Sequence, residues 1–172
     1  MICILMGVCG SGKTVVGEAL AKELNIVFRD ADEFHSVENK TKMAQSIPLT
    51  DEDRLPWLQA INKFILKMME TGNSGVLTCS ALKKQYRQIL LDGCSDSCKN
   101  DCSKVMIIYL KGSQECIQQR LEKRTGHFMP PALLKSQFST LEEPKADESF
   151  CVNVEIDEKS VSEIVKNILG VL

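Results

Sequence analysis

Aromatic residues are scarce in this chain: they occupy 5% of its 172 positions, with one tryptophan and two tyrosines. A pocket built to hold a nucleobase wants stacking faces, and little here supplies them. An excess of either charge is also missing, since 21 basic and 23 acidic residues leave a net charge of −2. That balance argues against a general nucleic-acid or membrane surface. No apolar run approaches the roughly 18 residues of a membrane span. The two histidines lie far from the evenly spaced Cys94, Cys98 and Cys102, which lack a fourth ligand and a close C-x-x-C pair. Those thiols are expected on an exposed loop rather than around a metal. Cys3, Cys79 and Cys151 sit in or beside apolar runs and are expected to be buried. Internal repeats and low-complexity linkers are lacking. The first apolar run begins at position 2, so the expectation is a cytoplasmic protein without a leader, folded as one domain over residues 1–172.

What the chain does have is Gly7-Val8-Cys9-Gly10-Ser11-Gly12-Lys13-Thr14, a complete G-x-x-x-x-G-K-[ST] loop. It lies between the apolar run 2–6 and a helical pattern over 15–24, the strand–loop–helix context that the motif needs. Glycines let backbone N–H groups converge on a polyphosphate, and the following helix directs its positive end at the same anion. Lys13 is placed to reach the β- and γ-phosphates of a nucleoside triphosphate, and the Thr14 hydroxyl to hold Mg²⁺.

Strands are expected at 2–6, 26–29, 75–79, 105–110 and 150–156, mostly short continuous apolar runs suited to a sheet buried on both faces. Helical stripes alternate with them: Val16, Ala19, Leu20 and Leu24; Leu58, Ile61, Ile65, Met68 and Met69; Val161, Ile164, Val165, Ile168, Leu169 and Leu172. The alternation predicts an α/β P-loop NTPase fold with a mostly parallel five-stranded sheet flanked by helices. Two polar stretches do not fit plain crossovers. Residues 31–57 are expected to form an acceptor-binding flap, and residues 120–143, broken by Gly126, Pro130 and Pro131, a lid.

Asp30 and Asp32 close the second strand, at the sheet edge where ligands bind in open α/β folds. Two carboxylates there suit magnesium's water shell and the proton of an acceptor hydroxyl, although either also suits capping of the helix that follows. Arg120 and Arg124, four apart on a predicted helix, can neutralise charge on a transferring phosphoryl group, with His127 in the hinge beyond them. His35, Lys42 and Arg54 in the flap, with Lys83 and Arg87 after the third strand, offer cations and hydrogen bonds. They suit a small, anionic, polyhydroxylated acceptor.

Taken together, five stretches resemble the gluconokinases of the small, shikimate-kinase-like type, relatives of the nucleoside monophosphate kinases. They are residues 6–14, Asp30-Ala31-Asp32-Glu33-Phe34-His35, residues 47–58 with Asp53-Arg54 and Pro56-Trp57-Leu58, Cys79-Ser80-Ala81-Leu82-Lys83 through Arg87, and Gly126-His127-Phe128-Met129-Pro130. The resemblance implies ATP-dependent phosphorylation of D-gluconate at its 6-hydroxyl, feeding the pentose phosphate route, and a homodimer. It makes Gly7 to Thr14 the ATP loop, with Asp30 beside magnesium and Asp32 the acceptor-side carboxylate. Arg54, Lys83 and Arg87 become the sugar-acid side, and Arg120 and Arg124 the lid arginines. Two departures from the pattern are Cys9 where serine is expected and Ser46 where glycine is.

Overall fold

The computed structural model describes residues 1–45, 47–94, 105–123 and 131–172, for 131–133 the backbone alone. Strand β1 (Ile2–Met6) leads through the glycine loop into helix α1 (Lys13–Leu24), then β2 (Val27–Asp30), a 3₁₀ turn (Ala31–Phe34), α2 (Val37–Ala44) and α3 (Asp51–Glu70). There follow β3 (Gly75–Thr78), α4 (Lys84–Leu91), β4 (Val105–Lys111), α5 (Gln114–Glu122), α6 (Pro131–Thr140), β5 (Cys151–Glu155) and α7 (Val161–Leu169). The five strands pair in the order β2-β3-β1-β4-β5, every pairing parallel. The expected α/β architecture is therefore present, with each strand within a residue or two of its sequence-predicted bounds.

Period-2 alternation in β1 explains the two-layer core. Ile2, Ile4 and Met6 point to one face, where Trp57, Leu58, Ile61 and Ile65 of α3 and Tyr86 and Leu90 of α4 cover them. Cys3 and Leu5 point to the other, against Val16 and Leu20 of α1 and Ile164 and Ile168 of α7. Being central, β1 is buried on both faces, whereas the edge strand β2 is only partly so.

The region 31–57 carries more regular structure than its polarity suggests. Ser36 caps α2 by accepting from the Asn39 N–H. The stripe beginning at Leu58 extends back to Asp51, through Pro56, because Thr50 and Asp53 form a reciprocal capping box and three acidic residues occupy the first turn. Acidic groups there complement the positive end of the helix. Two cysteine expectations need correction. Cys94 is buried in the core rather than exposed, since it follows α4 directly and packs with Leu90 beneath it. Cys151 is only half-buried, at the start of the edge strand β5. Cys98 and Cys102, like Ser46, lie outside the described residues.

Ile61 is fully buried at the centre of the α3 layer. An Ile61→Ala variant is expected to lose about 2–5 kcal/mol through transfer and cavity terms. Urea denaturation should show a lower midpoint with an unchanged slope; a midpoint equal to that of the parent protein would contradict this packing.

Candidate active site

At the end of β1 the backbone turns through positive φ at Gly10 (85°) and Gly12 (90°), a region disfavoured for other residues. A Cβ at Gly10 would in addition lie 2.7 Å from Leu121 Cγ. Gly12 is the N-cap of α1, so no side chain caps that helix, and its first turn holds no acidic residue. The N–H groups that every helix leaves unpaired at its start are thus available to an anion. Lys13 curls back over the loop and donates through Nζ to the carbonyls of Gly7 (2.9 Å) and Val8 (3.0 Å). Burial pushes its ammonium below the ordinary lysine value, while nearby Cys9, Cys79, Asp32 and Asp30 act in the opposite direction. Ser11 is fully buried, and its Oγ has no hydrogen-bond partner among the described residues.

Asp30 uses both carboxylate oxygens. Its Oδ1 accepts the Asp32 N–H (3.0 Å) and caps the 3₁₀ turn, and its Oδ2 accepts from the Thr14 hydroxyl (3.3 Å). The Thr14–Asp30 contact brings the phosphate loop against the end of β2. Among the described residues no cluster of His, Cys, Asp and Glu forms a self-contained metal cage. A hydroxyl and a carboxylate beside a phosphate cradle do fit Mg²⁺, which keeps several waters and shares its remaining sites with phosphates. Asp32 stands one residue further into the turn. Partial burial first, and the Asp30 charge second, hold its carboxyl above the usual range, partly offset by Lys13 and Lys40.

His35 stacks on Trp57 with ring centroids 4.2 Å apart and planes 11° from parallel. The Trp57 indole N–H in turn donates to the Ala31 carbonyl (2.7 Å), fixing the turn that carries Asp32. His35 Nε2 lies 3.9 Å from Asp32 Oδ1, beyond hydrogen-bond reach, and Nδ1 is buried without a partner among the described residues.

On the acceptor side the sequence-predicted cations divide. Lys83 pairs with Asp51 (2.6 Å), and both Lys83 and Arg54 lie over the Tyr86 ring, at 5.5 and 6.0 Å. The Tyr86 hydroxyl also donates to Asp51, and Arg54 donates to the Leu49 carbonyl. Lys42 instead binds Asp53 (2.7 Å) and ties α2 to the start of α3. Arg87 corrects its expected role. It is wholly buried, forms a two-bond pair with Glu148 (2.6 and 2.7 Å), and donates to the carbonyls of Ala81 and Leu82. Helix α4 packs on α3 and turns this arginine into the interior, away from any solute.

Arg120 reaches the loop from behind. It donates to the carbonyls of Ile156 (2.6 Å), Lys159 (3.2 Å) and Ser11 (3.4 Å), and it lines a cavity of about 450 Å³ with Ser113, Gln119 and Asp157. Arg124 and His127 lie outside the described residues. Sequence reasoning missed Asp51, Tyr86 and Gln137, whose Oε1 accepts the Cys9 N–H at 2.7 Å. Tyr86 is one turn beyond Lys83 and could have been read from helical spacing. Gln137 gave no local signal, being 128 positions from its partner.

The Shikimate kinase family matches residues 9–172. A mouse protein called "Probable gluconokinase" is 47% identical over 180 residues, which cover 99% of this chain and 97% of that protein. The chain belongs to the shikimate kinase family, among its gluconokinases. The "Thermosensitive gluconokinase" of Escherichia coli strain K12 is 47% identical over 154 residues, covering 90% of this chain and 78% of that protein. A solved gluconokinase from Sinorhizobium meliloti 1021 superposes with a TM-score of 0.83 at 39% identity, covering 98% and 89% of the two chains.

Burial first, with the charges of Arg54 and Lys40 second, lowers the His35 imidazole from 6.5 to about 4. Between those values the unfolded chain binds more protons than the folded one, so stability is lost as pH falls through this window. The His35 ring is expected to titrate near pH 4 by NMR. A His35→Phe variant should lose less stability than the parent protein over the same acidification. Titration at the ordinary histidine value would contradict this environment.

Proposed function

We infer that the protein is a gluconokinase that transfers the γ-phosphoryl group of ATP to the 6-hydroxyl of D-gluconate. The observation that carries the reading is the Thr14–Asp30 contact, which sets an uncapped helix N-terminus beside a carboxylate pair at the strand ends. Full-length similarity to gluconokinases supports gluconate as the acceptor.

The chain's residues have separable tasks. The loop from Gly7 through Thr14 holds the phosphates through the N–H groups left unpaired at the start of α1, and Lys13 leaves its carbonyl partners to meet the charge that develops on the transferring group. Thr14 and Asp30 hold Mg²⁺, which when bound neutralises phosphate charge and aligns the transfer. Asp32, held above the usual carboxylate range, accepts the proton of the 6-hydroxyl as its oxygen bonds to phosphorus and the bond to the ADP oxygen breaks. The products are ADP and 6-phospho-D-gluconate. Arg54 and Lys83 clamp the gluconate carboxylate, His35 and Lys42 complete the flap side, and Arg120 supports the nucleotide side with Arg124 and His127 in the lid. Arg87 supports the acceptor loop from within. This is one kinase domain over residues 1–172, with a flap near 31–57 and a lid near 120–143. The reading also makes it a cytoplasmic enzyme of the pentose phosphate route. It acts on a small molecule rather than a nucleic acid or membrane, as a homodimer that light scattering would reveal.

ADP release is expected with gluconate and not with shikimate or nucleoside monophosphates; a flat response across all acceptors would overturn the reading. Lys13→Ala should lower kcat on the order of 10²–10³-fold while the protein stays folded. Arg54→Ala should raise KM for gluconate more than KM for ATP. Equal weakening of both would move Arg54 to the nucleotide side.

A further inference from the structure

The segment from α6 to β5 touches both substrate loops, and neither Gln137 nor Glu142, in the stretch read as a lid, has been given a role in the transfer. At one end, Gln137 on α6 accepts the Cys9 N–H of the phosphate loop at 2.7 Å. Five residues on, the Glu142 N–H donates to the Leu82 carbonyl (2.8 Å), and Glu142 Oε2 accepts the Lys84 N–H (2.6 Å). That second bond supplies a cap which α4 lacks, since the side chain of its N-cap residue, Lys83, makes no capping bond. Further along, Glu148 pairs with the buried Arg87, which holds the carbonyls of Ala81 and Leu82. Ala81 needs such support, because its φ of 45° is strained for a residue with a side chain.

Packing joins the same parts. Leu134 of α6, Val8 of the phosphate loop, Leu82 of the acceptor loop and Ile117 of α5 are all buried in one small apolar cluster, with Phe138 and Leu141 against it. Side-chain hydrogen bonds and a shared core thus run from Cys9 to Lys84 through one stretch of chain.

We propose that Gln137 and Glu142 are positioning residues, a strap that sets the separation of the phosphate loop from the acceptor loop during phosphoryl transfer. The proposal rests on the kinase reading above. Neither side chain is required to touch the reacting atoms. Each acts through a backbone amide whose place fixes where the γ-phosphate or the acceptor rests. Misplacement by about an ångström costs a transfer reaction up to 10²-fold, while binding of each substrate alone is little altered.

The test uses Gln137→Met, which keeps side-chain length and removes the acceptor oxygen, Glu142→Ala, the double variant, and Glu142→Gln. Steady-state ADP release gives kcat and both KM values, and calorimetry gives the affinity for gluconate alone and for a non-hydrolysable ATP analogue alone. Each of the first two variants is expected to lose at least ~10-fold in kcat, with both affinities within about twofold of the parent protein. The double variant should be little worse than the poorer single one, as expected of residues acting as a unit. Glu142→Gln, which keeps an acceptor for the Lys84 N–H, should restore kcat. A kcat within about twofold of the parent, a double loss equal to the product of the single losses, or affinities that fall in step with stability would each overturn the strap. A gain in affinity for the ATP analogue in Gln137→Met would also overturn it, by making Gln137 a competitor of the phosphate. Parent protein without gluconate-dependent ADP release would fail the kinase reading itself. An active parent with unaffected variants would fail only the strap.

Discussion

The in-register parallel pairing of β1, β3 and β2 is the constraint on which the site depends. Leu5 and Asp30 both pair with Thr78, so Met6, Cys79 and Ala31 follow at one level and the glycine loop begins one residue beyond it, at Gly7. A slip of a single residue in β2 would turn Asp30 to the opposite face and away from Thr14. Strand β2 is short and lies at the sheet edge, so it cannot fix this register by its own burial. Gly75 keeps the contact between these layers close: a Cβ there would stand 2.6 Å from Met68 Cε and 3.1 Å from Val27 Cγ2, so the Met68 side chain and Val27 would have to shift.

Charge is used differently at the surface and in the interior. Lys84–Asp147 and Lys111–Glu143 are exposed pairs whose Coulomb gain is largely offset by solvent and side-chain entropy. Arg87–Glu148 is the reverse, with both partners wrapped by protein and every bond short. Such a pair adds little net stability over well-packed apolar groups, but it allows few alternatives, because removing either partner strands a buried charge. Its guanidinium also donates to the carbonyls of Ala81 and Leu82. The interior therefore holds the acceptor loop by geometry more than by energy.

Much of this was legible in the sequence because it is local. The glycine loop and its flanks sit within a dozen residues, and buried strands announce themselves as short apolar runs between helical stripes. Asp30 and Asp32 were placed by their position at a strand end. What could not be read depends on distant partners. Lys83 and Arg87 are four apart and look like one face of α4, yet Lys83 sits at the exposed helix start while Arg87 is turned inward to meet Glu148, 61 positions away. Cys94 was misjudged for the same reason. Its polar neighbours suggest a loop, whereas the helix before it delivers it to the core. Gln137 carries no pattern at all, since any long polar side chain in that turn of α6 would look alike.

The cap that Glu142 lends to α4 has a consequence for how the chain assembles. A helix of eight residues is marginal in water even with favourable composition. Its stabilising carboxylate arrives 58 positions after the amide it serves. As the nascent polypeptide leaves the ribosome, both loops facing the crevice wait for the same late-synthesised stretch, since Cys9 meets Gln137 and Lys84 meets Glu142 only once α6 and the residues after it have emerged.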